Sequence, residues 1–347
     1  MAAVSVGLCE WSTRLLLPRV PTAVEVPRNP YRYRGWPEYT SEIPAGPRTN
    51  TLVLITNCQG YGGEYRGSRV YAPRLERVLS ENAVNGSTNW VVLNWAIDGV
   101  TSMEYVLFAA YLHDYSPDLV LAVMSFADYR QEHFNEGLSY CRSDVPRLAT
   151  RWNVYRRLPA AYRRRHIRVE GFLTSWVLDR LALKRLKEYG WSWIDRRYPG
   201  VHNVYYAPHV HYLPWALPKR FRIEPIRLPK RSVSPMEVTY GEPSRIMLEE
   251  YIRTLKPVQS RVVLVAEPTA VSEHNPHQQR FIADLTELAR ENGLPCWDLH
   301  NALPDDRFLT TGHLQFRNHV RLANILAERI EALPKHAASP ASPAGED

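Results

Sequence analysis

The sequence predicts an α/β fold in which a parallel sheet carries helices on both faces. Three observations carry this. Short apolar runs at 51–56, 89–94 and 119–124 each stop abruptly in polar or turn residues, which is how a strand buried on both faces reads. Segments with helical apolar spacing separate them, so the order strand–helix–strand–helix–strand implies right-handed crossovers and parallel pairing. After more than a hundred irregular residues a further apolar run, Arg261-Val-Val-Leu-Val-Ala266, resumes the pattern.

Taken in order, residues 1–48 are rich in Pro and Arg without a sustained period, and are expected to form an extended arm. Strand 51–56 runs into Asn57, Cys58, Gln59 and a glycine cluster. A helix at about 68–82 follows, with Val70, Leu75, Val78 and Leu79 as its stripe. Strand 89–94 ends in Ala-Ile-Asp-Gly99, and the next helix starts at about Thr101, with Thr101 or Ser102 as N-cap. Pro117-Asp118 introduces strand 119–124, which ends in Ser125-Phe-Ala-Asp128. Residues 145–190 read as helical and 198–245 as Pro- and Tyr-rich and irregular. A helix at about 275–292 is stopped by Asn292-Gly293. A short strand at 295–299, a loop with Asp305, Asp306 and His313, and a helix at about 315–332 complete the pattern. The expected architecture is a flavodoxin-like three-layer sandwich over 49–141 and 246–335. A basic, mainly helical insertion occupies 142–245, and a disordered Ala/Ser/Pro tail occupies 336–347.

Charge is unevenly spread. The chain of 347 residues has a net charge of +7, yet residues 142–231 hold 21 Lys/Arg against 6 Asp/Glu while the other 257 hold 22 against 30. The same basic stretch holds 14 of the 38 aromatic residues, among them Trp152 and Tyr155. Basic residues interleaved with aromatics suit a polyanionic partner. Arg156, Arg157, Arg163, Arg164, Arg165, Lys184 and Arg185 are the candidate contacts; a solvated structural face or a membrane-surface helix are the alternatives. No apolar run is long enough to span a bilayer, so stable membrane insertion is not expected. The four cysteines (9, 58, 141 and 296) form no CxxC pair and no secretory signal begins the sequence, which points to reduced thiols in a cytoplasmic protein. His209-Val-His211 lacks a third ligand at useful spacing, so neither a metal nor another cofactor is expected.

In a doubly wound sheet the carboxyl ends of the strands converge on one edge, where ligands bind. That edge should gather Cys58, Gly99, Ser125 to Asp128 and the loop with His313. The layout resembles the SGNH (GDSL-like) hydrolase and acyltransferase superfamily. Its Gly-Asp-Ser block, with a glycine four residues on, is matched by Thr56-Asn57-Cys58 with Gly62. Its second-block glycine is matched by Gly99, its Gly-x-Asn-Asp by Ser125-Phe126-Ala127-Asp128, and its Asp-x-x-His by Thr310-Thr311-Gly312-His313. The resemblance covers about 51–128 and 261–332. Asn57-Cys-Gln-Gly60 also resembles the start of bacterial capsule-polysaccharide acetyltransferases.

Three positions depart from the superfamily pattern: cysteine replaces the serine, Ala127 the oxyanion-hole asparagine, and Thr310 the orienting aspartate. A thiolate needs less help from a third group than a serine does, so a Cys58–His313 dyad is chemically consistent with the loss of that aspartate. Thr310 or Asp306 are the candidate orienters of His313. The amides of Cys58 and Gly99, with Ser125, Gln59 and Asn57 in support, would serve the oxyanion. The resemblance then implies an acyltransferase acting through a Cys58 thioester. It would move an acyl or aminoacyl group from aminoacyl-tRNA, coenzyme A or an acyl carrier protein to a small-molecule acceptor, as in natural-product biosynthesis. A GDSL-type esterase or thioesterase, and an inactive scaffold binding nucleic acid or a protein, stay open. So do bland roles: Cys58 as a small buried residue, His313 as a surface histidine, Gly99 as a turn glycine.

Overall fold

A computed structural model describes residues 9–13, 15, 50–61, 70–97, 99–114, 117–136, 145–167, 239–270, 275–304, 308 and 313–334. Strands β1 (Asn50–Thr56), β2 (Trp90–Ala96), β3 (Leu119–Met124), β4 (Val262–Ala266) and β5 (Cys296–Asp298) form one sheet in the order β2-β1-β3-β4-β5. Every neighbouring pair is parallel, with Leu52 opposite both Val92 and Leu119. This is the doubly wound order, and its switch point lies between β1 and β3, where the chain leaves the sheet in opposite directions.

The helices in chain order are α1 (Cys58–Tyr61), α2 (Tyr71–Glu81), α3 (Ser102–Leu112), α4 (Gln131–Glu136), α5 (Trp152–Arg157), α6 (Ala160–His166), α7 (Glu242–Leu255), α8 (Pro276–Asn292) and α9 (Phe316–Glu331). Because strand side chains alternate, Leu52, Leu54, Leu121, Val263 and Val265 face one way and pack under α2 and α9. Val53, Ile55, Val120, Ala122 and Leu264 face the other and pack under α3, α7 and α8. Both faces are covered, so the strands need continuous apolar runs, which is the pattern the sequence displays.

Local signals fix the helix ends. Glu104 Oε2 accepts from Thr101 N at 2.7 Å and Thr101 Oγ1 accepts from Glu104 N at 3.4 Å, a reciprocal cap at the start of α3. At the end of α8, Gly293 takes φ +67° and lets Leu294 N reach Ala289 O at 2.9 Å.

Three stretches differ from expectation. Residues 9–13 are helical where an extended arm is expected. The helical stretch from 145 is broken into a 3-10 turn (Val145–Thr150), α5 and α6, because Leu158 sits before Pro159 and is forced to an extended backbone; its remainder lies outside the described residues. Finally, α7 begins inside the region read as irregular. Its buried Met247, Leu248, Tyr251, Ile252 and Leu255 are at helical spacing, and Pro243 falls in the first turn where it costs no bond.

Residues 145–167 belong to the core. All 11 residues of α3 are buried, because α5, α6 and α7 cover the side that the sheet does not. Tyr162 Oη donates to Met103 O at 2.9 Å, and Val154 and Leu158 join the same apolar cluster. Among the described residues no helix is long and apolar enough to cross a membrane. Leu158 is 2 % exposed, so Leu158→Ala should remove about 3 kcal/mol from the whole sheet domain. Urea unfolding followed by tryptophan fluorescence reads this as one shifted transition. An unchanged main transition would mean that 145–167 folds apart from the sheet.

Candidate active site

The turn after β1 is held from several sides. Asn57 Oδ1 accepts from Gln59 N at 2.9 Å, closing an Asx turn that starts α1. Gln59 Nε2 donates to Pro268 O at 2.7 Å, tying the turn to the chain leaving β4. Asn94 Nδ2 donates to Gly60 O at 3.0 Å, tying it to β2. At Gly60 a β-carbon would lie 2.0 Å from Thr56 Cγ2, so only glycine lets α1 fold back this closely. Thr56 itself cannot yield, being fully buried with Oγ1 3.0 Å from Tyr71 Oη. Within this frame Cys58 is the one residue between Thr51 and Gly60 that is not buried, and its thiol is not in a disulfide.

Under the turn lie two buried carboxyl groups. Asp128 Oδ2 accepts from Asn57 Nδ2 at 2.9 Å, Ser125 N at 2.9 Å and Tyr105 Oη at 3.2 Å, so it joins the ends of β1 and β3 to α3. Burial pushes Asp128 up to about 6, partly offset by those three donors and by Arg130. Its loop is braced by Arg130 Nε on Ala127 O at 3.0 Å and by His133 Nδ1 donating to Asp128 O at 2.9 Å. Burial also lowers His133 to about 4, which keeps its ring neutral.

The second carboxyl, Glu267, follows β4 directly; its N–H donates to Met124 O at 3.0 Å, and the side chain is 3 % exposed. Burial first, and then the charge of Asp128, raise Glu267 well above the usual carboxylate range, while Asn57, Ser125 and His313 draw it down. Two like charges in one dry pocket cannot both persist. Asp128 has the richer set of donors, so Glu267 is the group that keeps a proton more readily.

Of the residues singled out in the sequence, Asn57, Gln59 and Ser125 are buried beneath Cys58 and locked in the bonds just described. His313 is half-buried and is a charged neighbour of Glu267. Gly99 lies in the exposed turn before α3 at φ +67°, with nothing within 4 Å of where a β-carbon would stand; the backbone conformation, not space, favours glycine there. Thr310, Asp306, Lys184, Arg185 and the His209–His211 pair lie outside the described residues. Arg156, Arg164 and Arg165 are exposed, the last with its guanidinium 4.6 Å from the Phe134 ring centre. Arg157 pairs with Asp114 at 2.6 Å, and Arg163 sits 5.1 Å over Tyr155. Glu267 is absent from the residues the sequence motifs pick out. A single acid after a strand looks like any loop acid until the fold buries it. Among the described residues no cluster of His, Cys, Asp and Glu is placed to hold a metal ion.

No protein-family model matches this chain, and no curated protein matches it. Solved structures do. A lipase/acylhydrolase from Enterococcus faecalis is 13 % identical over 81 % of this chain and 95 % of its own, with a TM-score of 0.41. An acetylxylan esterase from Geobacillus stearothermophilus is 13 % identical over 84 % and 97 %, at 0.40. A carbohydrate acetylesterase from Sinorhizobium meliloti is 9 % identical over 82 % and 100 %, at 0.39. Esterases and acylhydrolases are what the chain is similar to in structure. At this distance residue roles rest on the geometry of this chain.

Gly60→Ala should cost about 3 kcal/mol, since neither the backbone of α1 nor the bonded Thr56 can move away. Chemical denaturation checks it, and Thr56→Ser, which removes the clashing methyl, should recover part of the loss in the double variant. A neutral Gly60→Ala would show that the turn is looser than described.

Proposed function

We propose that the chain is an acyltransferase that works through a thioester on Cys58. The observation carrying this reading is the placement of Cys58, a partly exposed thiol at the carboxyl edge of β1 on an otherwise buried and bonded turn. Ligands of doubly wound sheets bind at this edge, beside the β1/β3 switch point. In the reaction His313 takes the thiol proton and the sulfur attacks the acyl carbonyl. The carrier leaves with the proton from His313, giving the thioester. The acceptor then attacks, His313 removes its proton, and the thiolate departs. Backbone N–H groups of Cys58 and Gly99 would stabilise the oxyanion of each step. Transfer is favoured over hydrolysis because a thioester resists water yet reacts readily with amines.

The donor in this reading is attached to a polyanion: an aminoacyl-tRNA, coenzyme A or an acyl carrier protein. Support comes from the surface of α5 and α6. Trp152 is 69 % exposed and stacks on Tyr155 with ring centres 6.1 Å apart, and Arg163 covers the other ring. Arg156 and Arg164 are exposed on the same helices. Aromatic faces flanked by guanidinium groups suit unpaired bases and phosphates. An esterase or thioesterase is the second reading, favoured by the similarity to lipase and acetylesterase structures.

Intact-mass spectrometry after incubation with acetyl-coenzyme A, or with aminoacyl-tRNA, tests the nucleophile. The wild type should gain the mass of the acyl group and Cys58→Ala should not. An adduct persisting in Cys58→Ala would remove Cys58 from the reaction, and rapid p-nitrophenyl acetate turnover without an acceptor would favour the esterase. For the carrier, tRNA affinity should fall steeply with salt, and the Arg156→Ala/Arg164→Ala double variant should flatten the log–log slope by about two. A flat wild-type slope would remove the tRNA version.

A further inference from the structure

We infer that Glu267 is the positioning residue for His313, supplying from the end of β4 the acid that the motif around Thr310 lacks. This rests on the Cys58–His313 reading above. The side chain is buried, so it cannot be a surface counter-ion, and its Oε2 is buried with no hydrogen-bond partner among the described residues. A buried carboxyl oxygen is owed a partner whichever protonation state it holds. Asn57 and Ser125 approach the carboxyl from the ends of β1 and β3, and the remaining charged neighbours are Asp128 and His313. Asp128 Oδ2 is already occupied by three donors. That leaves the imidazole as the group whose N–H can complete Glu267.

The position also fits mechanically. Pro268 O, the next carbonyl along, accepts from Gln59 Nε2, so Glu267 and the backbone of Cys58 are fixed to each other through a 2.7 Å bond. Tyr71, whose Oη is bonded to Thr56, lies within the fields of both Cys58 and Glu267. The acid therefore sits beneath the nucleophile turn, where it acts through His313 and stays clear of substrate. Its task is to hold one ring nitrogen protonated so that the other faces the thiol, and to balance the imidazolium that forms when the thiol proton moves.

Reciprocity makes this testable. If the positive charge of His313 favours ionised Glu267, ionised Glu267 equally favours the imidazolium, and so favours the Cys58 thiolate. The groups facing the pair are Asp128, which opposes ionisation of Glu267, and Tyr71 and Tyr105, which stay neutral because burial raises both. Alkylation of Cys58 by iodoacetamide, followed by intact mass across pH, reads the thiolate directly. In Glu267→Gln the midpoint should rise by about one pH unit, slowing alkylation about tenfold below it. Glu267→Asp, which keeps the charge on a shorter arm, should recover part of the shift. His313→Ala separates the two levels of the argument. A wild-type profile in His313→Ala sinks the dyad itself, whereas a shift in His313→Ala with none in Glu267→Gln overturns the role of Glu267 alone. If Glu267→Gln does not fold, Glu267→Asp carries the same comparison. A midpoint identical to wild type in a folded Glu267→Asp, with His313→Ala shifted, then counts against the inference.

Discussion

The carboxyl edge of the sheet is organised by the need to bury two carboxyl groups, Asp128 and Glu267, where water cannot solvate them. An ionised carboxylate in such a place must be surrounded by donors or give up its charge. Asp128 takes the first course. Its Oδ2 receives an amide from the end of β1, a backbone N–H from the end of β3 and a hydroxyl from α3. Those bonds fix the relative positions of the segments that flank the switch point. Glu267 takes the second course, keeping a proton well above the range of an exposed glutamate because burial and Asp128 both oppose its charge. The pair thus joins three strand ends through interactions that need each partner in place.

Above this layer the turn from Thr56 to Gly60 has little freedom. Asn57 serves both the carboxyl layer and the start of α1, Gln59 reaches across to Pro268, and Gly60 admits a close approach that a side chain would block. A nucleophile benefits from this kind of support, since a thiol held by buried, bonded neighbours loses little entropy on attack. The basic surface of α5 and α6 is fixed too. Its helices bury Val154, Leu158 and Tyr162 against α3, so the exposed arginines and Trp152 stand on the domain that carries Cys58.

Much of this frame is legible in the sequence, for identifiable physical reasons. β1, β3 and β4 are buried on both faces, which demands unbroken apolar runs, and the polar residues that stop them mark the ligand edge. Thr101 with Glu104, and Asn292 with Gly293, declare helix ends through short-range chemistry. By contrast α7 carries its apolar spacing plainly but follows a Pro- and Tyr-rich stretch, so composition hides its start. α3 is buried all round and offers no amphipathic period, which leaves its cap as the only local sign. Within the site, Cys58 and Ser125 stand out because each ends a strand. Glu267 does not, because what distinguishes it is the company of Asp128, Asn57 and His313. Those groups come from segments up to 210 residues away along the chain, and no short-range pattern records their meeting.

The account turns on the claim that this edge holds two buried acids that cannot both be charged. Infrared spectroscopy of the carboxylic acid carbonyl stretch, followed with pH, measures this directly. A protonated-acid band should persist above about pH 6, beyond the range in which exposed Asp and Glu ionise, and Glu267→Gln should remove it. Complete loss of the band by about pH 5 in the folded wild type would contradict the account, because every carboxyl would then titrate as though in water.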